Sequence, residues 1–298
     1  MKIGMLIRNT TRFGNDFFES KNKPNFILSK LLLLLNSNLY FVKIRLIDGV
    51  KIYLHASKRS IHHFIQKNYY RQDMILLRCF LKSGDVFVDV GANIGELSLM
   101  AARAVVPGGC VYSFEPNPKV FRFLVENFRL NSITEGCQQY KCALADEDAI
   151  SRFYVRKYGD DLGSLSKATH LANRSVEVQV SRGDIVLKDL SQITLLKIDV
   201  EGAELRVLKG FQGLIDRIKF IVFEANSQMM QSHGLSLSEL IDFLERRGFR
   251  ILTVAGDMPT ELRRNAVIQH ADLYAVRPND IEEFMARYSY ARSRKTLL

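Results

Sequence analysis

From Gly84 onward, short apolar segments alternate with longer amphipathic ones. A short apolar run predicts a buried strand, and apolar residues recurring every three or four positions predict a helix. The predicted strands are Val86–Asp89, Cys110–Glu115, Gln138–Ala143, Thr194–Asp199, Phe220–Glu224, Arg250–Val254 and Leu273–Val276. The predicted helices are Glu96–Val105, Lys119–Leu130, Ala203–Leu214 and Ser238–Arg247. This alternation favours an α/β fold with a doubly wound, mostly parallel sheet.

Two segments depart from this alternation. Phe41–Leu54 alternates apolar and polar residues on both sides of Asp48-Gly49, a dipeptide that suits a tight turn, and therefore predicts a β-hairpin. Within residues 150–181, two alternating segments flank the polar loop GDDLGSLSKATH. They predict an inserted antiparallel pair of strands with a flexible tip.

These features divide the chain into three regions. Residues 1–82 form an accessory region, with a mobile start and a short leucine-rich helix within residues 1–36, then the hairpin and a helix over Ser57–Leu81. The leucine-rich helix is expected to pack or touch a partner, and a peripheral membrane contact is the alternative. Residues 83–278 form the main domain, and residues 279–298 form a basic tail whose last dozen residues are expected to fray.

Composition narrows the function classes only a little. The chain has 298 residues, with 42 Lys+Arg against 32 Asp+Glu, and a net charge of +10. This charge suits an acidic substrate, a nucleic acid or an anionic membrane surface, but it is spread along the chain and favours a generic basic surface. The longest apolar run, Leu31–Leu35, is far shorter than the roughly 20 residues that cross a bilayer. No secretory signal is recognisable, so the expected location is cytoplasmic, and the four cysteines lack zinc-site spacing.

Residues that directly follow the predicted strands carry the candidate chemistry, because ligands of such sheets bind at the carboxyl ends of the strands. After the first strand, Asp89 precedes a loop in which Gly91 and Gly95 allow close backbone approach. After the second strand comes Glu115, at the place where such folds hold ribose hydroxyls. A dinucleotide loop would have glycine where this chain has Asn93. A carboxylate beside the loop repels phosphate but attracts a sulfonium or ammonium group, which predicts S-adenosylmethionine as the ligand.

A second cluster of charged residues follows two later strands. Lys197 and Asp199 lie on one side of their strand, and Glu224 ends the next one. Asp199 and Glu224 are therefore expected to face one cavity, which requires a cation, a shared proton or a substrate hydroxyl between them. The competing interpretation is that Lys197 and Glu201 form a structural ion pair, and Glu204 is expected to lie on a solvated helix face.

Four strings in this order, DVFVDVGANIGELSLMAA, VYSFEPNP, LLKIDVEGAELRVLKG and IVFEAN, resemble the FkbM-type family of S-adenosylmethionine-dependent methyltransferases. The resemblance runs from Gly84 to Val276 and implies a class I methyltransferase fold, Rossmann-like, with a seven-stranded sheet whose last strand is antiparallel. It also implies O-methylation of a sugar or natural-product hydroxyl. The positions that match its cofactor motifs are Asp89, Gly91, Asn93, Gly95, Glu115 and Asn117, with Ala143 and Asp146 beside the adenine. The loop Gly163–Ser166 corresponds to a serine-rich loop of the family.

Transfer of a methyl group to a hydroxyl benefits from a base near the methyl group. We expect Asp199 or Glu224 to be that base, with Lys197 and Glu201 setting the local charge. His233 is an alternative base, although a surface position is favoured for it, and the remaining histidines have less claim. A divalent metal on Asp199, Glu201 and Glu224 is the less favoured alternative, because their spacing is not a recognised ligand motif.

The acceptor that the resemblance implies is a glycan, a lipid-linked sugar or a secondary metabolite. A nucleic-acid methyltransferase is much less favoured than an O-methyltransferase of this kind, because the sequence shows no RNA-binding module and no dense basic run. A non-catalytic protein-binding module and an NAD-dependent oxidoreductase are the remaining alternatives. The sequence leaves the acceptor and the oligomeric state open.

Overall fold

The computed structural model describes residues 42–46, 49–54, 77, 80–133, 135–156, 163–167, 172–254, 258–263 and 266–295. The predicted start and leucine-rich helix within residues 1–36, and nearly all of the predicted helix Ser57–Leu81, lie outside these ranges.

Fourteen strands and seven α-helices are assigned within the described ranges. The strands are β1 (Val42–Arg45), β2 (Lys51–Leu54), β3 (Val86–Val90), β4 (Cys110–Phe114), β5 (Cys137–Tyr140), β6 (Ala143–Leu144), β7 (Ala149–Arg156), β8 (Gly163–Ser164), β9 (Ala172–Ser181), β10 (Ile193–Ile198), β11 (Ile218–Asn226), β12 (Arg250–Val254), β13 (Pro259–Glu261) and β14 (His270–Val276). The helices are α1 (Glu96–Val105), α2 (Pro118–Leu130), α3 (Gly183–Val186), α4 (Glu204–Gly210), α5 (Ser227–Ser232), α6 (Leu237–Arg246) and α7 (Ile281–Lys295).

The main sheet has the strand order β13-β12-β14-β11-β10-β3-β4-β5. Strands β3, β4, β5, β10 and β11 pair in parallel, whereas β14 pairs antiparallel with both β11 and β12. This arrangement confirms the predicted doubly wound sheet with an antiparallel last strand. The sequence predicted seven strands, and the structure adds an eighth, β13, which pairs with the edge of β12.

One predicted strand is divided between two sheets. The segment Gln138–Ala143 was expected to be continuous, but β5 ends at Tyr140 and β6 begins at Ala143. Ala143 pairs with Val180 of β9, which draws the chain out of the main sheet.

The inserted segment forms a four-stranded sheet with the order β6-β9-β7-β8. Strands β7 and β9 pair antiparallel, as the alternating pattern predicted. Within the expected flexible tip, Gly163 and Ser164 form β8 and pair with Val155 and Tyr154, and residues 157–162 and 168–171 lie outside the described ranges.

The predicted hairpin is confirmed in β1 and β2, and it packs against the main domain. Val50 and Ile52 are fully buried in the same core cluster as Phe87. Two asparagines fasten the hairpin, one in α2 and one directly after it: the backbone N–H of Tyr53 donates to Asn127 and that of Lys51 donates to Asn131. The side chain of Asn127 also donates to the carbonyl of Ile94, so α2 connects the hairpin to the loop after β3.

The expected fraying of the last dozen residues is wrong up to Lys295, because α7 continues to that residue. Phe284 and Ala291 are fully buried, and Phe284 packs against Phe220 at a ring-centroid distance of 5.5 Å. Arg287 pairs with Asp85 and bonds the carbonyl of Phe80. Burial of this apolar face, which the basic composition of the segment concealed, stabilises the helix. No helix in the described ranges is long and apolar enough to span a membrane.

Candidate functional site

The chain turns sharply after β3, where Gly91 has a φ of 82°, in the left-handed region. A Cβ atom at this position would lie 1.9 Å from the carbonyl oxygen of Asp199. Strands β3 and β10 are neighbours, and the N–H of Asp199 donates to the carbonyl of Val90 at 3.0 Å. Because glycine has no Cβ atom, the loop after β3 can lie directly against Asp199, the residue after β10. Both segments therefore contribute to the same side of the site.

Glu115 lies directly after β4 and is buried. Its Oε2 accepts a hydrogen bond from the backbone N–H of Asn93 at 3.0 Å, and its Oε1 accepts one from the N–H of Asn117 at 2.8 Å. Burial raises the pKa of Glu115 to about 7, although the two N–H donors oppose the shift. Each carboxylate oxygen can accept a second hydrogen bond, so the group suits a pair of ribose hydroxyls.

The other predicted motif residues shape the loops around Glu115. Asn93 has a φ of 53°, and its left-handed conformation directs its N–H toward the carboxylate. The side chain of Asn117 caps α2 by accepting from the N–H of Lys119 at 3.0 Å. A Cβ atom on Gly95 would lie 2.5 Å from Cδ1 of Leu124, so this glycine allows α1 to begin close to α2. Their contact with a cofactor stays a prediction.

A cavity with about 690 Å³ of empty space, part of it open to solvent, lies at the carboxyl ends of β3, β4 and β10. Its wall carries three carboxyl groups, those of Glu115, Asp199 and Glu201, and no Lys or Arg among the residues that the structure describes. The apolar part of the wall includes Phe114, Cys142, Ala143, Leu144 and Phe153. An acidic wall disfavours phosphate and suits a cationic ligand with a flat apolar end.

Asp89, the acidic residue before the loop, is 1% exposed and does not line this cavity. Nζ of Lys197 lies 3.1 Å from its Oδ1, and the hydroxyl of Ser98 donates to its Oδ2 at 2.6 Å. Nζ of Lys197 also lies 3.5 Å from Oδ2 of Asp199. The structure therefore differs from the expected direct contact of Asp89 with a cofactor cation: Lys197 offsets its charge, and Asp199 faces the cavity instead.

Asp199 and Glu224 are adjacent, as predicted, because Ile198 of β10 is in register with Phe223 of β11. They do not share the wall, however, since Asp199 lines the cavity and Glu224 lies one strand further along. Oε1 of Glu224 is 2.7 Å from Nε2 of His270. Burial, together with the charge of Asp199, raises the pKa of Glu224, while the contact with His270 opposes the shift.

The segment after β10 is held by a buried carboxyl that the sequence analysis placed wrongly. Glu204 was expected on a solvated helix face, but it is 0% exposed. Its Oε1 accepts from the N–H groups of Val200 and Gly202 at 3.2 and 3.1 Å, because α4 begins at Glu204 and its side chain folds back over the preceding loop. Burial raises the pKa of Glu204 to about 8. Between these N–H groups, Glu201 adopts a φ of 57° and lines the cavity.

The serine-rich loop of the insertion reaches the same cavity. Gly163 and Leu165 line it, and Oγ of Ser164 lies 2.8 Å from Nε2 of His233. The hydroxyl of Ser166 donates to the carbonyl of Ser232 at 2.6 Å. His233 is half-buried rather than on the surface, and burial lowers its pKa. Its role as a base stays a prediction.

Asp146 is not brought to the cavity wall. It pairs with Arg206 of α4, whose Nε donates to its Oδ1 at 2.8 Å, whereas Ala143 does line the cavity. Sequence reasoning also missed Phe153, which reaches the wall from the inserted sheet, and His270 beside Glu224. Neither carries a local signal, because both positions depend on strand pairings distant in sequence. Within the described ranges, no group of three or more His, Cys, Asp or Glu is arranged to hold a metal ion.

These residues fit S-adenosylmethionine. The pair of free acceptor positions on Glu115 suits the ribose, the apolar wall around Ala143 and Phe153 suits the adenine, and the carboxyls of Asp199 and Glu201 suit the sulfonium and ammonium groups.

Residues 89–251 match the family described as the methyltransferase FkbM domain. Methyltransferase 1 of Beauveria bassiana is 27% identical over 259 residues, which cover 76% of this chain and 96% of the relative. The 31-O-demethyl-FK506 methyltransferase FkbM of Streptomyces tacrolimicus is 29% identical, with 59% of this chain and 78% of the relative covered. The hexuronic acid methyltransferase AglP of Haloferax volcanii is 27% identical, with 52% and 62% covered. The chain therefore belongs to the FkbM family of methyltransferases, has the class I fold, and uses S-adenosylmethionine as its methyl donor.

Proposed function

We propose that this methyltransferase methylates a hydroxyl group on a small molecule or a glycan. The observation that carries the proposal is the pair of adjacent carboxyls, Asp199 and Glu224, at the carboxyl ends of β10 and β11. Asp199 lines the cofactor cavity, and Glu224 extends the acidic surface away from it toward β14. This extension is the direction in which an acceptor can approach.

The bound cofactor supplies an electrophilic methyl group on a sulfonium. The protein must hold the acceptor oxygen in line with that methyl group, which alone lowers the barrier by several kcal/mol. A hydroxyl is a weak nucleophile while it keeps its proton, so a nearby base increases the rate by about 10²- to 10⁴-fold. The carboxyls at the end of the cavity provide both hydrogen-bond acceptors for an acceptor hydroxyl and a local negative charge.

Charge supports the choice of acceptor class. The carboxyls of Asp199 and Glu201 line the cavity, Glu224 lies on the neighbouring strand, and this acidic group would repel a phosphate backbone. A neutral polyol would instead donate its hydroxyls to these oxygens. The names of two relatives refer to small molecules or sugars rather than to nucleic acids, namely 31-O-demethyl-FK506 and a hexuronic acid. Small molecules and glycans are therefore favoured over nucleic acids as the methyl acceptor.

To test this proposal, the full chain is incubated with S-adenosylmethionine that carries a trideuterated methyl group. Candidate acceptors are supplied in separate panels of polyols, hexuronic acids, macrolides, amines and RNA. We expect a mass gain only with hydroxyl compounds, and a signal of a deuterated O-methyl group by deuterium NMR. Transfer to amines or RNA alone would overturn the proposal.

Asp199→Asn is the matched variant for this assay. It should keep the fold and reduce transfer, whereas Asp242→Asn, on the exposed face of α6, should transfer at the rate of the parent protein.

A further inference from the structure

Glu224 does not stand alone at the acceptor side of the cavity. Its Oε1 lies 2.7 Å from Nε2 of His270, the first residue of β14. The antiparallel pairing of β11 with β14 sets this contact, because Glu224 is in register with Asp272 and Asn226 is in register with His270. The contact therefore depends on the sheet itself and not on a loop.

The carboxylate of Glu224 determines which nitrogen of the His270 imidazole carries the hydrogen. An ionised carboxylate only accepts hydrogen bonds, so Nε2 of a neutral His270 carries the hydrogen that Glu224 receives. Nδ1 then holds the lone pair. This is the arrangement in which a carboxylate fixes the tautomer and orientation of a histidine base and stabilises the imidazolium that forms.

The pair continues a row of polar side chains on one face of the main sheet. Asp89 of β3, Lys197 of β10 and Asp199 directly after β10 are linked by contacts of 3.1 and 3.5 Å, and Glu224 and His270 follow on β11 and β14. Asp199, in the middle of the row, lines the cofactor cavity. The row leads from the cavity to His270.

His270 is accessible as well as oriented. Its side chain is 63% exposed, against 21% for Glu224. A histidine in this position can meet an acceptor that approaches along the sheet edge and can pass its proton to water. A histidine that served only to neutralise a half-buried carboxyl would not need this exposure.

We propose that His270 is the general base that deprotonates the acceptor hydroxyl, and that Glu224 is the positioning residue that orients it. This inference rests on the proposed function. The acceptor O–H bond breaks as its proton moves to Nδ1 of His270, and the oxygen forms a bond to the methyl carbon. The bond between carbon and sulfur breaks, its electron pair stays on sulfur, and the imidazolium later releases the proton to solvent.

The first arm of the test needs no acceptor. In protein labelled with ¹⁵N-histidine, the His270 signals are assigned by their loss in His270→Gln. We expect hydrogen on Nε2 and a lone pair on Nδ1 at pH 8, and a mixture of tautomers in Glu224→Gln. Hydrogen on Nδ1 in the parent protein, or an unchanged tautomer in Glu224→Gln, would overturn the proposal.

The second arm measures turnover with the best hydroxyl compound from the acceptor panels. His270→Gln keeps a donor for Glu224 but has no basic nitrogen, so kcat should fall by about 10²- to 10⁴-fold with cofactor Kd changed less than about threefold. Val267→Ala, at a 91% exposed position before β14, is the control and should behave as the parent. A kcat for His270→Gln within about threefold of the parent would refute the base assignment.

The split between kcat and binding separates positioning from a structural role. Glu224→Gln should reduce kcat by about tenfold and change the cofactor Kd less than about threefold, because the imidazole of His270 loses the partner that orients it. An unchanged kcat, or a cofactor Kd that weakens as much as kcat falls, would contradict the role of Glu224. If the parent transfers methyl to no hydroxyl at all, the proposed function fails, and the base assignment fails with it.

Discussion

Nε2 of His233 lies 2.8 Å from Oγ of Ser164, and this contact joins the inserted sheet to the segment after β11. Ser164 is buried, and its neighbours Gly163 and Leu165 line the cofactor cavity. The hydroxyl of Ser166 makes a second link, to the carbonyl of Ser232. The loop that completes the cavity is thus held from a distant part of the chain.

Loss of this link should weaken cofactor binding without unfolding the protein. A neutral hydrogen bond contributes about 1 kcal/mol, so Ser164→Ala should raise the Kd for S-adenosylmethionine by about 3- to 10-fold. Isothermal titration calorimetry measures this change. Ser175→Ala, on the exposed face of β9, is the control. An unchanged Kd in Ser164→Ala would mean that the loop keeps its place without the His233 contact.

Glu115 makes cofactor binding depend on pH. Its pKa is raised to about 7, so at lower pH the free protein must release a proton before the carboxylate can accept two ribose hydroxyls. Affinity should rise by up to about tenfold per pH unit below pH 7 and level off above it. Calorimetry with 5′-methylthioadenosine between pH 5.5 and 8.5 tests this, because that ligand lacks the titrating amino-acid group.

The variant Glu115→Gln separates this effect from other titrations. It should lose the pH dependence and bind about 10- to 100-fold more weakly at pH 8, since charge-assisted hydrogen bonds contribute about 1.5–3 kcal/mol. Glu126→Gln, at an exposed position of α2, should keep the parent profile. A pH dependence that survives in Glu115→Gln would assign it to another group.

Much of the sheet was predictable because the parallel strands β3, β4, β10 and β11 are mostly apolar runs with a polar or charged residue at or next to the end. Asp199 and Glu115 could be placed at the site from the sequence, since position after a strand fixes the edge of the sheet. Asp146 could not, because the chain crosses to the second sheet at Ala143 and Asp146 then meets Arg206. Pairings distant in sequence decide such positions.

The sequence also did not show which of its polar residues are buried. Glu204 follows a turn and begins α4, a pattern that is typical of an exposed first helical turn. Only the tertiary structure shows that its carboxyl folds back onto the N–H groups of Val200 and Gly202. The hydrophobic pattern likewise did not reveal α7, because its buried Phe284 and Ala291 lie among basic residues.

The buried carboxyl of Glu204 should make stability fall as pH rises. Its pKa is raised to about 8, above the ordinary value of 4.5, so the folded state holds a proton that the unfolded state releases between these values. Its stabilising contribution is complete below about pH 4.5 and decreases by up to about 1.4 kcal/mol per pH unit until about pH 8. Urea unfolding at pH 5, 6.5 and 8 measures the slope.

Glu204→Gln keeps an acceptor for the two N–H groups and removes the titration. Its stability relative to the parent should therefore increase between pH 5 and 8. Glu177→Gln, at an exposed position of β9, should follow the parent at each pH. Parallel pH profiles for Glu204→Gln and the parent would contradict the assignment.

Lys197 stabilises the fold because it offsets the buried charge of Asp89. Lys197→Met leaves the carboxylate with the Ser98 hydroxyl and without its cation, which should cost about 3–5 kcal/mol in the free energy of unfolding at pH 7. In Asp89→Asn/Lys197→Met no buried charge is left uncompensated, so the double variant should be more stable than Lys197→Met by 1 kcal/mol or more, about the size of other coupled pairs. Urea unfolding of the parent, both single variants and the double variant gives the coupling energy. Additive losses would show that Lys197 stabilises the sheet through packing of its side chain or through Asp199, and not through Asp89.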